Sequence, residues 1–329
     1  MEFEKFVLDD IAEIENKIKA MIPPEPKEVY NLLEEYIFRG GKRIRPAIIM
    51  LVFRALGGKD KQNAISVAAL IELFHNFTLI HDDIEDSSEF RRGKPTLHLS
   101  HGIPIALNSG DAIYTIIWNN LLALDLPAEK KIKLVSILGR GFQRVVEGQG
   151  IELNWYKEKK IDIYEEEYYN MISGKTGALM GTVCEAGAYL AYADPESLER
   201  FYNFGKSLGI AFQIQDDILN LIGDFKEYKK EIGGDITEGK RTLMIIHAMA
   251  HSNEEEKKKL LHILLSNTRD RKKIDYAISI MKKYGSIDYA KLKARCFVEK
   301  ANSFIETFQE SKEKNELKKL LFCITNRKF

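Results

Sequence analysis

A long apolar run ends abruptly in four carboxylates, Asp82, Asp83, Glu85 and Asp86. Leu70, Leu73, Phe77, Ile80 and Ile84 fall on one stripe at helical spacing, which predicts a single helix from about Gln62 to Asp86. Its other face carries His75, Thr78, Asp82 and Asp86. A polar second face on a core helix marks a cavity wall inside a helical bundle. Asp82 and Asp86 lie one turn apart on the same side and suit Mg²⁺, a hard cation that takes oxygen ligands and leaves positions open for substrate phosphates. Arg91, Arg92 and Lys94 follow at once, in a basic loop with Gly93 and Pro95.

The rest of the chain is read as helical throughout, and the fold class expected is all-α. Phe3, Phe6, Ile11, Ile14 and Ile18 predict a first helix that Pro23 and Pro24 end, and Val29 to Phe38 a second. Gly40 and Gly41 break the chain before KRIRP, placing Lys42 and Arg45 near a helix start with Pro46 in its first turn. Further helical patterns run through 104–124, 130–156, 163–193, 195–222, 242–250, 254–265, 274–284 and 289–322. No stretch keeps a period of two for long, so no strand is predicted. The stretch from Asp224 to Arg241, charged and bearing Gly233 and Gly234, is expected to be a mobile surface loop or lid. No composition shift divides the chain, and one domain over residues 1–329 is expected.

Composition bounds the function. Lysine plus arginine (49) equals aspartate plus glutamate (49), so no global field recruits nucleic acid or an anionic membrane, and any anion site must be a local cluster. Three widely spaced cysteines, Cys184, Cys296 and Cys323, fit reduced thiols in a cytoplasmic protein. The acidic, amphipathic N-terminus lacks the pattern of a signal peptide, and the interrupted apolar runs predict no transmembrane segment.

One internal echo stands out. Asp82-Asp83-Ile84-Glu85-Asp86 is matched by Asp216-Asp217-Ile218-Leu219-Asn220, again at the end of an apolar helix. A single acidic cluster reads as a solvated helix face. Two, embedded in apolar sequence, need compensating partners, because burying a bare carboxylate costs several kcal/mol, and bound cations supply them. GGKRIRP reads either as a solvated turn or as an anion site in which Lys42, Arg45 and free N–H groups at a helix start meet a diphosphate. SGKT (173–176) lacks the upstream glycine of a phosphate loop, and EGKR (238–241) has Arg241 where Ser or Thr should bind Mg²⁺, so neither is a nucleotide site. His98 and His101 lack the further ligands zinc requires.

With these residues assembled, the chain resembles the trans-isoprenyl diphosphate synthases, the all-α polyprenyl synthetases. GGKRIRP, HNFTLIHDDIED, RRGKPTLH, GDAIY, EGQGIEL, SGKTGAL, FQIQDDILN and GGDITEGKRTL stand in the family's order between about Gly40 and Thr242. The resemblance implies an orthogonal helical bundle around a deep central cavity, a homodimer, and two Asp motifs facing each other across the cavity mouth to bind three Mg²⁺ ions. It implies metal ligation by Asp82, Asp86 and Asp216. Arg91, Lys175, Thr176, Gln213, Lys230 and Lys240 match contacts to an allylic diphosphate (dimethylallyl, geranyl or farnesyl), and Lys175, Thr176 and Gln213 are the catalytic candidates. Lys42, Arg45, His75 and Arg92 match the isopentenyl diphosphate site. Three positions depart from the pattern: Asn220 stands where many members have Asp, Glu152 where an Asp follows EGQ, and Lys229 where Gly is frequent. Phe77 with Thr78 before the first motif implies a twenty-carbon product, geranylgeranyl diphosphate. The alternatives are a farnesyl or longer-chain synthase, a terpene cyclase, or a catalytically silent partner subunit.

Overall fold

The computed structural model describes residues 8–223 and 232–325, and Lys229 and Lys230 lie outside them. The all-α expectation is borne out: helices α1 (Leu8–Met21), α2 (Lys27–Ile37), α3 (Ile44–Ala55) and α4 (Lys61–Glu85) open the chain. They are followed by α5 (Leu97–His101), α6 (Ile103–Leu122), α7 (Ala128–Lys157), α8 (Glu165–Ile172), α9 (Leu179–Leu190) and α10 (Pro195–Ile222). The last are α11 (Gly234–Thr237), α12 (Leu243–His251), α13 (Glu254–Leu265), α14 (Arg271–Lys283), α15 (Ser286–Ile305) and α16 (Lys312–Thr325).

Two compact units can be described, each drawn from several stretches of sequence. The first holds residues 1–138, 183–199 and 310–317, the second 139–182, 200–309 and 318–329. In the first unit α4 is the central member, packed on α1, α3 and α6. Asp60 caps it by accepting the backbone N–H of Asn63 at 3.2 Å. Leu70, Leu73 and Ile80 of the predicted stripe are buried, while Phe77 and Ile84 are half-buried. At 25 residues α4 is long and apolar enough to cross a membrane, which the interrupted runs of the sequence did not suggest. Its apolar surface has another use, since 72% of the most apolar window is buried within the protein. Helix α6 comes close at Gly110, where an added Cβ would lie 2.2 Å from His81 Nε2.

The second unit gathers around Ile214, Ile218, Leu243, Ile245, Ile274 and Met281, from α10, α12 and α14. Ile236 of the short helix α11 belongs to that core and is fully buried.

Four details differ from the sequence expectations. Phe90–Arg91 and Lys94–Pro95 form a small antiparallel hairpin, because Arg92 (φ 53°) and Gly93 (φ 76°) supply two successive left-handed residues. The helix predicted over 163–193 is interrupted by a wide π turn at Ser173–Ala178. The one predicted over 289–322 breaks after Ile305, and Ser311 restarts it by accepting the N–H of Lys314 at 3.0 Å. The described end of the expected surface loop is anchored: besides Ile236, Arg241 is buried and donates to the Lys160 carbonyl at 3.2 Å. Replacing Ile236 by Ala should lower stability by about 3 kcal/mol in urea unfolding, where a true surface loop would lose a few tenths.

Candidate functional site

In the first unit, Arg43 rather than its neighbours is the structural residue of the GGKRIRP turn. It precedes α3 in a left-handed conformation (φ 46°), so its side chain turns inward. There it donates to Glu72 at 2.8 Å, Glu15 at 3.0 Å and the Ile37 carbonyl at 2.9 Å. Glu72 is the acid that interrupts the apolar run on α4, and an acid buried there needs such a partner. Lys42 is left exposed, and Arg45 is half-buried on the first turn of α3.

Arg45, His75 and Arg92 are brought into one electrostatic neighbourhood. Burial first, then the guanidiniums of Arg45, Arg92, Arg91 and Arg43, hold His75 well below the usual imidazole range. Arg92 reaches Asn76 Oδ1 at 3.4 Å, and Gly41 lies so near that a Cβ there would sit 3.1 Å from the Arg92 Nη2. Burial lowers Arg45 and Arg92 as well, and cations gathered this way have the chemistry to hold a multivalent anion.

The acidic end of α4 divides into an inward and an outward side. Asp83 is buried and accepts the Tyr36 hydroxyl at 3.0 Å and Arg91 Nε at 2.7 Å. Burial raises its carboxyl, against the pull of Arg91. Asp82 and Asp86 stay half-exposed, joined along the helix by the Asp86 N–H on the Asp82 carbonyl at 2.8 Å. Arg91 Nη2 pairs with Asp82 at 3.2 Å, so one guanidinium ties both sides of the cluster. Phe77 lies one turn above His81, and its ring meets Phe74 (5.5 Å), His81 (4.6 Å) and Tyr114 of α6 (5.3 Å). The hydroxyl of Thr78 is turned back onto the His75 carbonyl at 2.8 Å.

The second unit repeats the arrangement at Asp216 and Asp217. Asp217 is buried and accepts the Tyr168 hydroxyl at 2.9 Å and the Gln213 amide at 2.8 Å. Burial, then the charge of Asp235, pushes its carboxyl well up, and the two hydrogen bonds oppose the rise. Gln213 also accepts from Thr176 at 2.8 Å, so the motif is wired to the π turn. Helix α7 presses on that turn: a Cβ on Gly148 would meet the backbone N of Lys175 at 2.1 Å. Lys175 Nζ donates to the buried Glu152 at 2.6 Å. Lys240 lies 3.5 Å from Asp235 and pairs with Glu238. Asn220 does conformational work: its carbonyl accepts the Gly233 N–H at 2.7 Å and its Oδ1 the Asp235 N–H at 3.0 Å, which fixes the start of α11.

Tyr36, Arg43, Glu72 and Tyr168 have no counterpart among the candidates drawn from the sequence. Glu72 alone carried a signal, as an acid inside an apolar run.

These positions can be compared with known proteins. The polyprenyl synthetase sequence profile matches residues 26–281. The chain belongs to the polyprenyl synthetase family. A geranylgeranyl pyrophosphate synthase of Geoglobus acetivorans is 36% identical, with 98% of each chain covered. A geranylfarnesyl diphosphate synthase of Aeropyrum pernix is 35% identical over 88% of this chain and 91% of its own. Among solved structures, geranylgeranyl pyrophosphate synthetase from Pyrococcus horikoshii superposes with a TM-score of 0.91 at 36% identity, covering 99% of this chain and 98% of that one. The polyprenyl synthetase assignment makes this chain a prenyltransferase with the all-α isoprenoid synthase fold.

The depressed His75 has a consequence for pH. The folded state takes up its proton at lower pH than the unfolded chain, so this group's contribution to stability is whole above pH ~6.5 and declines as pH falls below it. His75→Gln should flatten the acid-side decline of the melting temperature between about pH 6.5 and 5, measured by differential scanning fluorimetry.

Proposed function

We propose that the chain condenses isopentenyl diphosphate with allylic diphosphates, head to tail, and stops at geranylgeranyl diphosphate. The observation that carries this reading is the gathering of Arg45, His75 and Arg92 in the unit whose outward carboxylates are Asp82 and Asp86. That unit offers a cationic site for one diphosphate next to hard oxygen donors for a metal.

Asp82 and Asp86 fit Mg²⁺: both are carboxylates, half-exposed, one turn apart, with Asp83 committed inward to Tyr36 and Arg91. Asp216 is the corresponding donor of the second motif, and three Mg²⁺ ions per site is the count the family resemblance supplies. When bound, they would neutralise charge on the leaving diphosphate. Lys175, Lys240, Arg91 and Lys230 bind the allylic diphosphate and stabilise negative charge as it develops on the leaving group. Lys42, Arg45, His75 and Arg92 hold isopentenyl diphosphate so that its alkene carbon attacks the allylic cation. His75 is neutral there and donates without adding charge. Thr176 and Gln213 turn dipoles, not nucleophiles, towards the cation, and the proton lost at the end passes to the departing diphosphate.

Product length is set at Phe77. Its ring is packed into the cluster with Phe74, His81 and Tyr114, which makes it a firm stop, and Thr78 beside it is the smaller residue of the pair. The whole chain acts as one catalytic domain, in the cytoplasm, where its three free thiols remain reduced. It acts as a homodimer: Leu99, Ile103, Ile105, Leu107 and Leu122, on α5 and α6, are exposed apolar side chains of a kind a second copy would cover.

The test is a product assay with radiolabelled isopentenyl diphosphate, Mg²⁺ and each primer (dimethylallyl, geranyl, farnesyl). A twenty-carbon product from the purified protein alone is expected; no turnover with any primer would identify a silent subunit, and a fifteen- or twenty-five-carbon end point would move the chain to another synthase class. Chelation by EDTA should abolish turnover, and Asp82→Asn should reduce kcat by at least about a hundredfold. Phe77→Ala should lengthen the product on chromatography; an unchanged distribution would remove Phe77 as the stop.

A further inference from the structure

We propose that Glu152 is a positioning residue that holds Lys175 ready for the allylic diphosphate and offsets the charge of Lys175 and its neighbour Lys240 so that pyrophosphate can leave. This rests on the reading of Lys175 and Lys240 as diphosphate contacts.

Glu152 is 5% exposed and accepts a 2.6 Å hydrogen bond from Lys175 Nζ, a lysine that itself reaches solvent with 22% of its side chain. A carboxylate sunk this deep is costly unless cations compensate it. Burial pushes its carboxyl up, but Lys175 first and Lys240 second outweigh that and hold it below the usual carboxylate range. Both lysines are therefore within its field.

Its placement is fixed by the backbone. Glu152 stands one turn beyond Gly148 on the same face of α7, and Gly148 is where α7 touches the backbone N of Lys175 without room for a Cβ. The contact that seats the π turn on α7 thus also sets the distance from Glu152 to the lysine on that turn. Glutamate, where the family pattern has aspartate, adds one methylene of reach. Lys240 is tethered separately by Asp235 and Glu238. Two ammonium groups in the field of one buried carboxylate repel each other less than they would without it, and that carboxylate also weakens their joint pull on an incoming diphosphate.

A site that keeps both lysines without the carboxylate would bind diphosphate more tightly and release it more slowly. The experiment titrates inorganic pyrophosphate with excess Mg²⁺ into full-length wild type, Glu152→Gln, Glu152→Asn and Glu152→Asp by calorimetry. Melting temperatures and steady-state kinetics accompany it. The two neutral variants should bind pyrophosphate about fivefold more tightly, with lower kcat and stronger product inhibition by pyrophosphate. Glu152→Asp, which keeps the charge, should stay within about twofold of wild type. Unchanged or weaker pyrophosphate binding in whichever neutral variant folds would overturn the inference, since a carboxylate that only braces the fold would lower the melting temperature and affinity together. Equal affinity in wild type and Lys175→Gln would remove Lys175 from the diphosphate site, and the inference with it.

Discussion

A tyrosine hydroxyl on a buried aspartate is the contact on which both acidic helix ends depend. Tyr36 serves Asp83 and Tyr168 serves Asp217, at 3.0 and 2.9 Å, from 47 and 49 residues upstream. Each aspartate lies inside an apolar helix end and would be too costly to bury bare. A neutral phenol satisfies one oxygen without adding charge, and a second donor, Arg91 or Gln213, satisfies the other. Once the inward aspartate is fixed, the helix phase leaves Asp82 and Asp86 on the outer side of α4.

The two units answer the same problem with different second donors. Around Asp83 the partner is a guanidinium that also reaches Asp82, so the first motif is tied to the hairpin that carries Arg91 and Arg92. Around Asp217 the partner is the uncharged Gln213, linked onward through Thr176 to the π turn, while Asp235 stands close enough to add repulsion. An acid at position 220 would crowd that unit further. Asn220 instead accepts the Asp235 N–H with a neutral amide oxygen and adds no charge, so the departure from the acidic pattern fits here.

Much of this was legible in the sequence. Periodicity marked the α4 stripe, and helix phase placed Asp82 with Asp86 because both facts are local. The motif series pointed to the family for the same reason. What escaped depends on partners distant in sequence or on a single backbone angle. No spacing rule connects Tyr36 to Asp83, and nothing in KRIRP says that Arg43, not Lys42 or Arg45, turns inward, since that follows from one left-handed residue. The π turn was invisible because one extra residue in a helix barely alters an apolar pattern, and Ile236 was hidden by the charge around it. Glu72 was the exception, an acid whose position demanded a partner.

The wide turn at Ser173–Ala178 also fixes the length of its segment. Before it, Tyr168 must reach Asp217; after it, Gly181 must face Tyr202, where a Cβ would come within 2.8 Å of the ring. A straight α-helix advances ~100° per residue, so losing one residue from the turn would rotate one of these contacts off its partner. Connecting loops elsewhere can drift in length as relatives diverge. Between Tyr168 and Gly181 the residue count is itself part of the site.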